Sequence, residues 1–256
     1  MEYVVVIALA LFGSFLSFFS GFGLGTLLLP AFLLVFPIEI AITAQAMVHM
    51  LNNLFKLYLL GKFANWSVIK YFGLLSVVGA FLGSYLLKNI DAHQVGSYYI
   101  FGARKDITTL NLVIGILISI FALLETQKQF QNWRMPKILM PVGGLVSGFF
   151  GGLSGHQGAL RSMFLMKAGL SKEAFMGTRV VLACMVDITR IAVYSSFAFT
   201  GIILDEYKLI LVATLAAFSG AYAGNHFMKI KPMEWINNFI LVSLLLFSAA
   251  LILGWL

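Results

Sequence analysis

The stretch GGLSGHQGALR, Gly151–Arg161, interrupts a long apolar run. It places four glycines, a serine, a histidine, a glutamine and an arginine in a chain that is 61% hydrophobic. Glycine gives the backbone the freedom to leave a helix. Backbone freed from helical bonding at membrane depth is tolerated only where protein or a wet cavity satisfies its polar groups. The stretch therefore predicts a broken helix whose break lines a cavity.

The composition of the whole chain is typical of a polytopic membrane protein. Only 11% of the residues are charged, and the mean hydropathy is +0.96. Most of the uncharged runs approach the roughly 20 residues that a helix needs to cross a bilayer. They are 3–38, 71–87, 107–124, 138–160, 209–228 and 235–256, with two further spans at 40–60 and 178–200 whose few charges would face inward. We therefore predict an all-α, multi-pass fold with about eight transmembrane helices.

The second half of the sequence repeats the first. At a shift of 134 positions, Gly21 aligns with Gly155, Glu39 with Glu173, Asn53 with Asp187 and Lys56 with Arg190. Further along the shift becomes 141, and GAFLG at 79–83 aligns with GAYAG at 220–224. This order predicts two homologous repeats of four helices, 1–125 and 138–256, joined by a polar linker at 126–137. The polar segment 91–106 has no counterpart and is predicted to be an added loop.

Internal repeats are typical of secondary transporters, whose solute site lies near the membrane midplane where the halves meet. Four crossings in each half would make the repeats parallel, whereas a re-entrant segment would make them inverted. Lysines and arginines are nearly balanced between the two expected sides, so the positive-inside rule does not decide the orientation.

The run 3–38 predicts a second break. As one straight helix it would measure about 54 Å, against about 30 Å of hydrocarbon. SGFGLGT at 20–26 aligns with SGHQGAL at 154–160, so the break is expected there. A helix that restarts after a break, predicted at Thr26 and at Ala159, points free N–H groups and a positive dipole end at the cavity, which suits an anion. The glycines of GAFLG and GAYAG are instead expected to permit close helix packing.

Polar residues form a stripe on the second helix of each half. In the first half the stripe has spacings of three and four residues, which places it on one helix face: Gln45, His49, Asn52 or Asn53, and Lys56. The second half carries Arg179, Asp187, Arg190 and Tyr194. Charges inside a membrane are costly and usually mark a pathway or a binding site. Asp187 and Arg190, three residues apart, fit a purely structural pair equally well.

These patterns together predict an anion-binding site. Its candidate residues are Gly21, Gly23, Gly25, Thr26, Gln45, His49, Asn53, Lys56, Ser154, Gly155, His156, Gln157, Arg161, Arg179, Asp187 and Arg190. No histidine has a partner at metal-ligand spacing, so neither a metal nor another cofactor is predicted. His156 is expected to donate to a solute or carry a proton, with a histidine satisfied by its own loop as the alternative. Cys184, the single cysteine, is expected in the core.

The glycine motifs resemble those of the TauE/SafE family of sulfite and organosulfonate transporters. The resemblance rests on GFGLGTLLLP at 21–30, on GFFGGLSGHQGAL at 148–160 and on the GAFLG and GAYAG pair, and it covers nearly the whole chain. It implies a four-plus-four helix protein that moves small sulfur-containing or carboxylated anions across the bacterial inner membrane.

We therefore predict a secondary transporter of sulfite, sulfoacetate or a related organosulfonate that works by alternating access, either by exchange or coupled to a proton or sodium ion. An anion channel and a transporter of other small carboxylates are the alternatives. An integral membrane enzyme is less expected, because the carboxylates are not paired for acid–base chemistry. Membrane lipid is an expected partner, and nucleic acid is not. No pattern fixes the oligomeric state, and a homodimer is one option.

Overall fold

The computed structural model describes residues 2–17, 24–91, 93–100, 102–126, 137–198, 205–227 and 234–255. Helices dominate these ranges, as predicted. The first half contains α1 (Glu2–Leu16), α2 (Leu24–Leu33), α3 (Ile38–Leu60), α4 (Trp66–Val68), α5 (Leu74–Lys88) and α6 (Thr109–Thr126). The second half contains α7 (Met140–Ser154), α8 (Gly158–Leu165), α9 (Lys172–Ala198), α10 (Tyr207–His226) and α11 (Glu234–Ile252). A π-helical turn, Ile69–Gly73, joins α4 to α5.

A two-stranded antiparallel sheet precedes α6, where the sequence predicted only a loop. Its strands are β1 (Gln94–Ile100) and β2 (Ala103–Thr108). The aromatic and β-branched side chains of β1 favour strand structure, a preference that the overall helical pattern concealed. The hydroxyl of Tyr98 donates to the carbonyl of Leu253 at 2.9 Å, which ties the hairpin to the end of α11.

The chain reverses direction at Gly155. This residue ends α7 with a left-handed φ of 80°, and α8 then packs back on α7. The hydroxyl of Ser147 donates to the carbonyl of Gln157 at 3.2 Å, and Gly143 lies against the ring of Phe164. In one continuous helix, residues 143 and 164 would be about 31 Å apart. The predicted break in the second half is therefore a helical hairpin, and α8 begins at Gly158, one residue before the predicted start.

Helices α1 and α2 form a similar hairpin. A Cβ built on Gly13 would lie 3.4 Å from the Cβ of Leu27, whereas one continuous helix would separate these residues by about 21 Å. Helix α2 begins at Leu24, two residues before the predicted start. Gly21 and Gly23, which were predicted to form this break, lie outside the described residues.

Helices α5 and α7 run parallel and pack through glycines. Three α7 glycines face successive carbonyls of the neighbouring helix: Gly144 faces Phe72, Gly148 faces Ser76 and Gly152 faces Ala80. In return, Gly79 and Gly83 face the α7 backbone. A Cβ at any of these positions would collide with backbone atoms, so only glycine permits so close an approach. These contacts confirm the packing role that was predicted for the GAFLG glycines.

Helices α1 and α10 repeat this arrangement with matched residues. Gly220 faces the Leu11 carbonyl and the Phe15 nitrogen, whereas Gly79 faces the Leu145 carbonyl and the Phe149 nitrogen. The shifts of 134 and 141 in the sequence alignment pair each of these residues with its counterpart. Near the N-terminal ends of both helices, the hydroxyl of Tyr3 donates to the carboxylate of Glu206 at 2.9 Å. Helices α1 and α10 are therefore also parallel.

The second helices of the two halves, α3 and α9, are antiparallel. The contacts that define their direction are Gln45 with Arg190 at 3.0 Å, Asn53 with Asp187 at 2.8 Å, and Gly177 against the carbonyl of Leu60. The fourth helices, α6 and α11, are antiparallel as well: Ser119 bonds Ser248 at 2.8 Å, and Gly115 lies against Ile252. At these two matching positions, the helices of the two halves therefore run in opposite directions.

Within the described ranges, two helical stretches are both long and apolar enough to cross a membrane. They are Trp66–Lys88 and Tyr207–His226, which occupy matching positions at the shift of 141. The described parts of the other apolar helices are shorter. Helices α3 and α9 are long, with 23 and 27 residues, but they carry the buried polar stripes.

Candidate functional site

A small cavity of about 50 Å³ lies between the two hairpins and the α3/α9 pair. This volume holds more than one water molecule. Its polar lining consists of Ser17, Thr26, His49, Asn53, Lys56, Gln157, Arg161 and Arg179. None of the described lining residues is an aspartate or a glutamate. The wall is therefore strongly basic.

Both hairpin tips contribute to the wall. Gly25 and Thr26 come from the first turn of α2, and Gly158 is the first residue of α8. The first turn of a helix has backbone N–H groups without partners in the helix, and it carries the positive end of the dipole. A Cβ built on Gly25 would lie 3.4 Å from the carbonyl oxygen of Gly155, so the two tips are neighbours. The starts of α2 and α8 therefore lie close together at the cavity.

Three basic side chains reach the cavity from different helices. Lys56 is only 5% exposed and donates to the hydroxyl of Ser17 at 2.7 Å. Arg161 is buried, donates to the backbone carbonyl of Arg179 at 2.8 Å and also bonds the side chain of Gln157. These contacts hold the charges of Lys56 and Arg161 in fixed positions, and the third basic side chain is the half-buried Arg179. Sequence reasoning missed Ser17, because it lies in an apolar run and its repeat partner is a glycine.

Asp187 is completely buried beneath this wall and accepts hydrogen bonds from four side chains. Its Oδ2 lies 2.8 Å from His49 Nδ1 and 2.8 Å from the amide of Asn53. Its Oδ1 lies 3.0 Å from the guanidinium of Arg190 and 3.4 Å from the amide of Gln157. Both oxygens are therefore occupied by donors. The carboxylate is neutralised by these partners and connects α3, α9 and the tip between α7 and α8.

Gln45 and Arg190 close the base of the site beside Gly155. The guanidinium of Arg190 donates to Gln45 Oε1 at 3.0 Å. A Cβ on Gly155 would lie 2.8 Å from Arg190 Nη1 and 2.9 Å from Gln45 Nε2. Gly155 is thus required both by its left-handed backbone and by the lack of room. Gln45 Nε2 and Arg190 Nε are buried with no hydrogen-bond partner among the described residues.

His156 and Ser154 lie on another side of the hairpin tip, outside the cavity wall. The imidazole of His156 stacks on the ring of Phe121 in α6, with centroids 5.5 Å apart and planes 9° apart. Its Nδ1 lies 3.1 Å from the hydroxyl of Ser154, which in turn donates to the carbonyl of Phe150 at 3.2 Å. The loop therefore supplies a partner for Nδ1, whereas Nε2 is buried with no hydrogen-bond partner among the described residues.

The structure thus divides the predicted site residues into groups. In the cavity wall lie Gly25, Thr26, His49, Asn53, Lys56, Gly155, Gln157, Arg161 and Arg179. Directly behind the wall lie Gln45, Asp187 and Arg190. Ser154 and His156 lie elsewhere, and Gly21 and Gly23 are outside the described residues. In the described part of the chain, no group of three or more His, Cys, Asp or Glu side chains could hold a metal.

Apolar helices packed through glycines around a buried basic cavity define an integral membrane protein that handles small anions. The chain belongs to the Sulfite exporter TauE/SafE family, whose sequence model matches residues 6–251. Comparisons with curated proteins and with solved structures returned no match. The family match confirms the resemblance of the glycine motifs. It also makes the chain a member of a family of membrane transporters of sulfite and similar anions.

Proposed function

We propose that this chain is a secondary transporter that carries sulfite, sulfoacetate or a related organosulfonate across the inner membrane by alternating access. The observation that carries the proposal is the basic cavity, in which two buried cationic side chains, Lys56 and Arg161, the half-buried Arg179 and two helix N-termini converge between the halves. Such a set of donors stabilises a negative charge far from water. The family match supports the same class of solute.

In this proposal the anion lies between the two hairpin tips. Lys56 approaches it from α3, Arg179 from α9 and Arg161 from α8. Arginine presents a planar fork of donors that matches two oxygens of a sulfite or sulfonate group, whereas lysine supplies a point charge. The N–H groups at the starts of α2 and α8 complete the set. A volume of about 50 Å³ favours a compact head group.

We further infer that the repeats 1–125 and 138–256, joined by the linker 126–137, are inverted. The antiparallel pairs α3/α9 and α6/α11 support a two-fold axis perpendicular to the helices. The matched glycine contacts of α1/α10 and α5/α7 support the same axis. Each half then contributes one re-entrant hairpin and three crossings. An odd number of crossings gives the two halves opposite orientations in the membrane, as in many secondary transporters.

A second cavity, of about 210 Å³, supports alternating access. It lies near the opposite end of α3, and its lining includes Glu39, Thr43, Lys88 and Asp91. Tyr194 also lines it and bonds the carbonyl of Gly152 at the end of α7. The contacts of Arg190, Gln45 and Tyr194 separate the two cavities. Rocking of one half against the other would open this layer and connect the anion site to the second cavity.

A thermal-shift screen of the purified protein tests the proposal, since a true ligand stabilises the folded state. We expect sulfite and sulfoacetate to raise the melting temperature. Lys56→Ala should raise by about tenfold the ligand concentration that gives the same shift in melting temperature, because it removes one buried charge near the anion. Lys62→Ala is the matched control, since Lys62 is exposed just beyond α3.

Stabilisation by simple carboxylates but not by sulfur oxyanions would favour the alternative of a carboxylate transporter. Equal ligand responses in Lys56→Ala and Lys62→Ala would exclude the cavity as the binding site.

A further inference from the structure

We propose that His49 carries one proton through the transport cycle together with the anion, so that both move in the same direction. The inference rests on the proposed function and adds the coupled ion. It is carried by the position of His49, which joins the anion cavity to the buried carboxylate of Asp187.

His49 connects the two environments. Its ring lines the cavity and its side chain is 12% exposed, whereas the side chain of Asp187 is 0% exposed. The Nδ1 atom lies 2.8 Å from Asp187 Oδ2. When the imidazole is neutral, an Nδ1–H group donates to the carboxylate and Nε2 retains a free lone pair. A proton that arrives through the cavity then binds Nε2, and the resulting imidazolium is stabilised by Asp187.

The charges around His49 set the sign of the coupling. Asp187 and Arg190 face it from α9, and Lys56 lies on its own helix. Arg161 and Arg179 share the cavity, and α2, which also packs on α3, has no titratable side chain. An imidazolium among these cations is unfavourable in an empty cavity and favourable when an anion occupies it. Anion and proton therefore promote each other's binding.

The donors around Asp187 favour a proton over a sodium ion. Sodium needs several free oxygen ligands, as other hard cations do. Both oxygens of Asp187 already accept hydrogen bonds, and the guanidinium of Arg190 lies 3.0 Å from Oδ1. A metal cation would have to displace this positive charge.

The repeat indicates a single proton in each cycle. The position that matches His49 in the second half is Ala183, which also lines the cavity and cannot titrate. A dianion that leaves with one proton still carries net negative charge outward. An inside-negative membrane potential therefore favours export even with proton cotransport.

Proteoliposomes containing the wild-type protein, His49→Gln or His93→Gln test this proposal. Uptake of ³⁵S-labelled sulfite is followed to steady state with the vesicle interior one pH unit more alkaline than the outside. The membrane potential is clamped at zero. The speciation of sulfite is the same in all three samples, so the ratio between samples isolates the proton that the protein carries. One coupled proton predicts an accumulation ratio about tenfold higher for the wild type than for His49→Gln. His93→Gln, an exposed histidine outside the site, should match the wild type.

His49→Gln is expected to transport more slowly, but a steady-state ratio does not depend on rate. Equal ratios in the wild type and His49→Gln would overturn the proton proposal and leave the proposed function standing. A wild-type protein that moves no sulfite would overturn both. If His49→Gln does not fold, calorimetry of the wild type with sulfoacetate in two buffers of different ionisation enthalpy counts the protons bound. Both acid groups of sulfoacetate stay ionised near neutral pH, so proton uptake on binding supports the proposal and zero uptake overturns it.

Discussion

At the scale of single residues, the ion pair between Asp187 and Arg190 organises the site. Both side chains are fully buried, and together they contact α3 and the tip between α7 and α8. The sequence left open whether Arg190 binds the anion or serves Asp187. The structure places Arg190 behind the cavity wall, where its contacts are Asp187 and Gln45. Lys56, Arg161 and Arg179 are therefore better placed to contact an anion.

A double-mutant cycle on this pair measures its structural role. Arg190→Gln should lower the free energy of unfolding by about 3 to 5 kcal/mol, because it leaves the Asp187 carboxylate buried without its charge partner. The double variant Arg190→Gln/Asp187→Asn should lose much less than the sum of the two single variants. Arg104→Gln is the control: its ion pair with Asp106 is half exposed, so the expected loss is below about 1 kcal/mol.

Chemical unfolding in detergent gives these values. If the losses in free energy of unfolding are additive in the double variant, the pair is not structural, and Arg190 is instead a candidate anion ligand.

At the scale of elements, the glycine clusters have two different tasks. Gly144, Gly148 and Gly152 let α7 pack directly on the backbone of the helix beside it. Gly155 ends that helix and turns the chain back, which brings the start of α8 to the cavity. The same apolar stretch thus supplies both a packing surface and a binding surface.

Replacing Gly155 with alanine separates backbone strain from crowding. A left-handed alanine costs about 1 to 2 kcal/mol, and the new Cβ would also press against Arg190 and Gln45. Gly169 has a similar φ of 72° with nothing within 4 Å, so Gly169→Ala pays only the backbone cost. We expect Gly155→Ala to lower the melting temperature clearly more than Gly169→Ala and to weaken ligand stabilisation. Equal losses in both variants would show that the tip is not crowded.

Some of the features built on the glycine clusters could be predicted from the sequence, and others could not. The two breaks and the close-packing glycines were predictable, since glycine density and helix length are local properties of the chain. The reversal at Gly155 was not, because a kinked helix and a hairpin have the same local sequence. The polar stripe predicted the contact between His49 and Asn53, but the pairing of Asn53 with Asp187 requires the antiparallel crossing of two distant helices. The strand Gln94–Ile100 was missed because a short polar segment in an apolar chain reads as a loop.

At the scale of the whole molecule, the proposed anion site lies between two halves whose second and fourth helices run antiparallel. The starts of α2 and α8 meet beside the α3/α9 pair. Family membership gives the general function, and the inverted arrangement that we propose would allow the same site to open to either side of the membrane.

Cysteine labelling tests the orientation of the halves. In a Cys184→Ala background, Lys62→Cys and Asp205→Cys place thiols at exposed positions near the ends of the second helices of the two halves. Inverted repeats predict that a membrane-impermeant maleimide labels them from opposite sides of the membrane. Ser171→Cys, at the start of α9 beside the end of α3, is the control and should label from the same side as Lys62→Cys. Labelling of Lys62→Cys and Asp205→Cys from one side would mean that the repeats are parallel.

Counterflow of sulfite in proteoliposomes tests whether the protein is an alternating-access carrier of sulfite. Vesicles loaded with unlabelled sulfite and diluted into a trace of ³⁵S-labelled sulfite measure exchange through one alternating site. The account predicts a transient accumulation of label above equilibrium, which is much reduced in Lys56→Ala and retained in Lys62→Ala. A carrier produces this overshoot because the excess of unlabelled sulfite inside competes with the entered label for the inward-facing site, whereas a channel only equilibrates the label. Monotonic equilibration without an overshoot would contradict alternating access, and no sulfite movement at all would contradict the assignment of this cavity to sulfite.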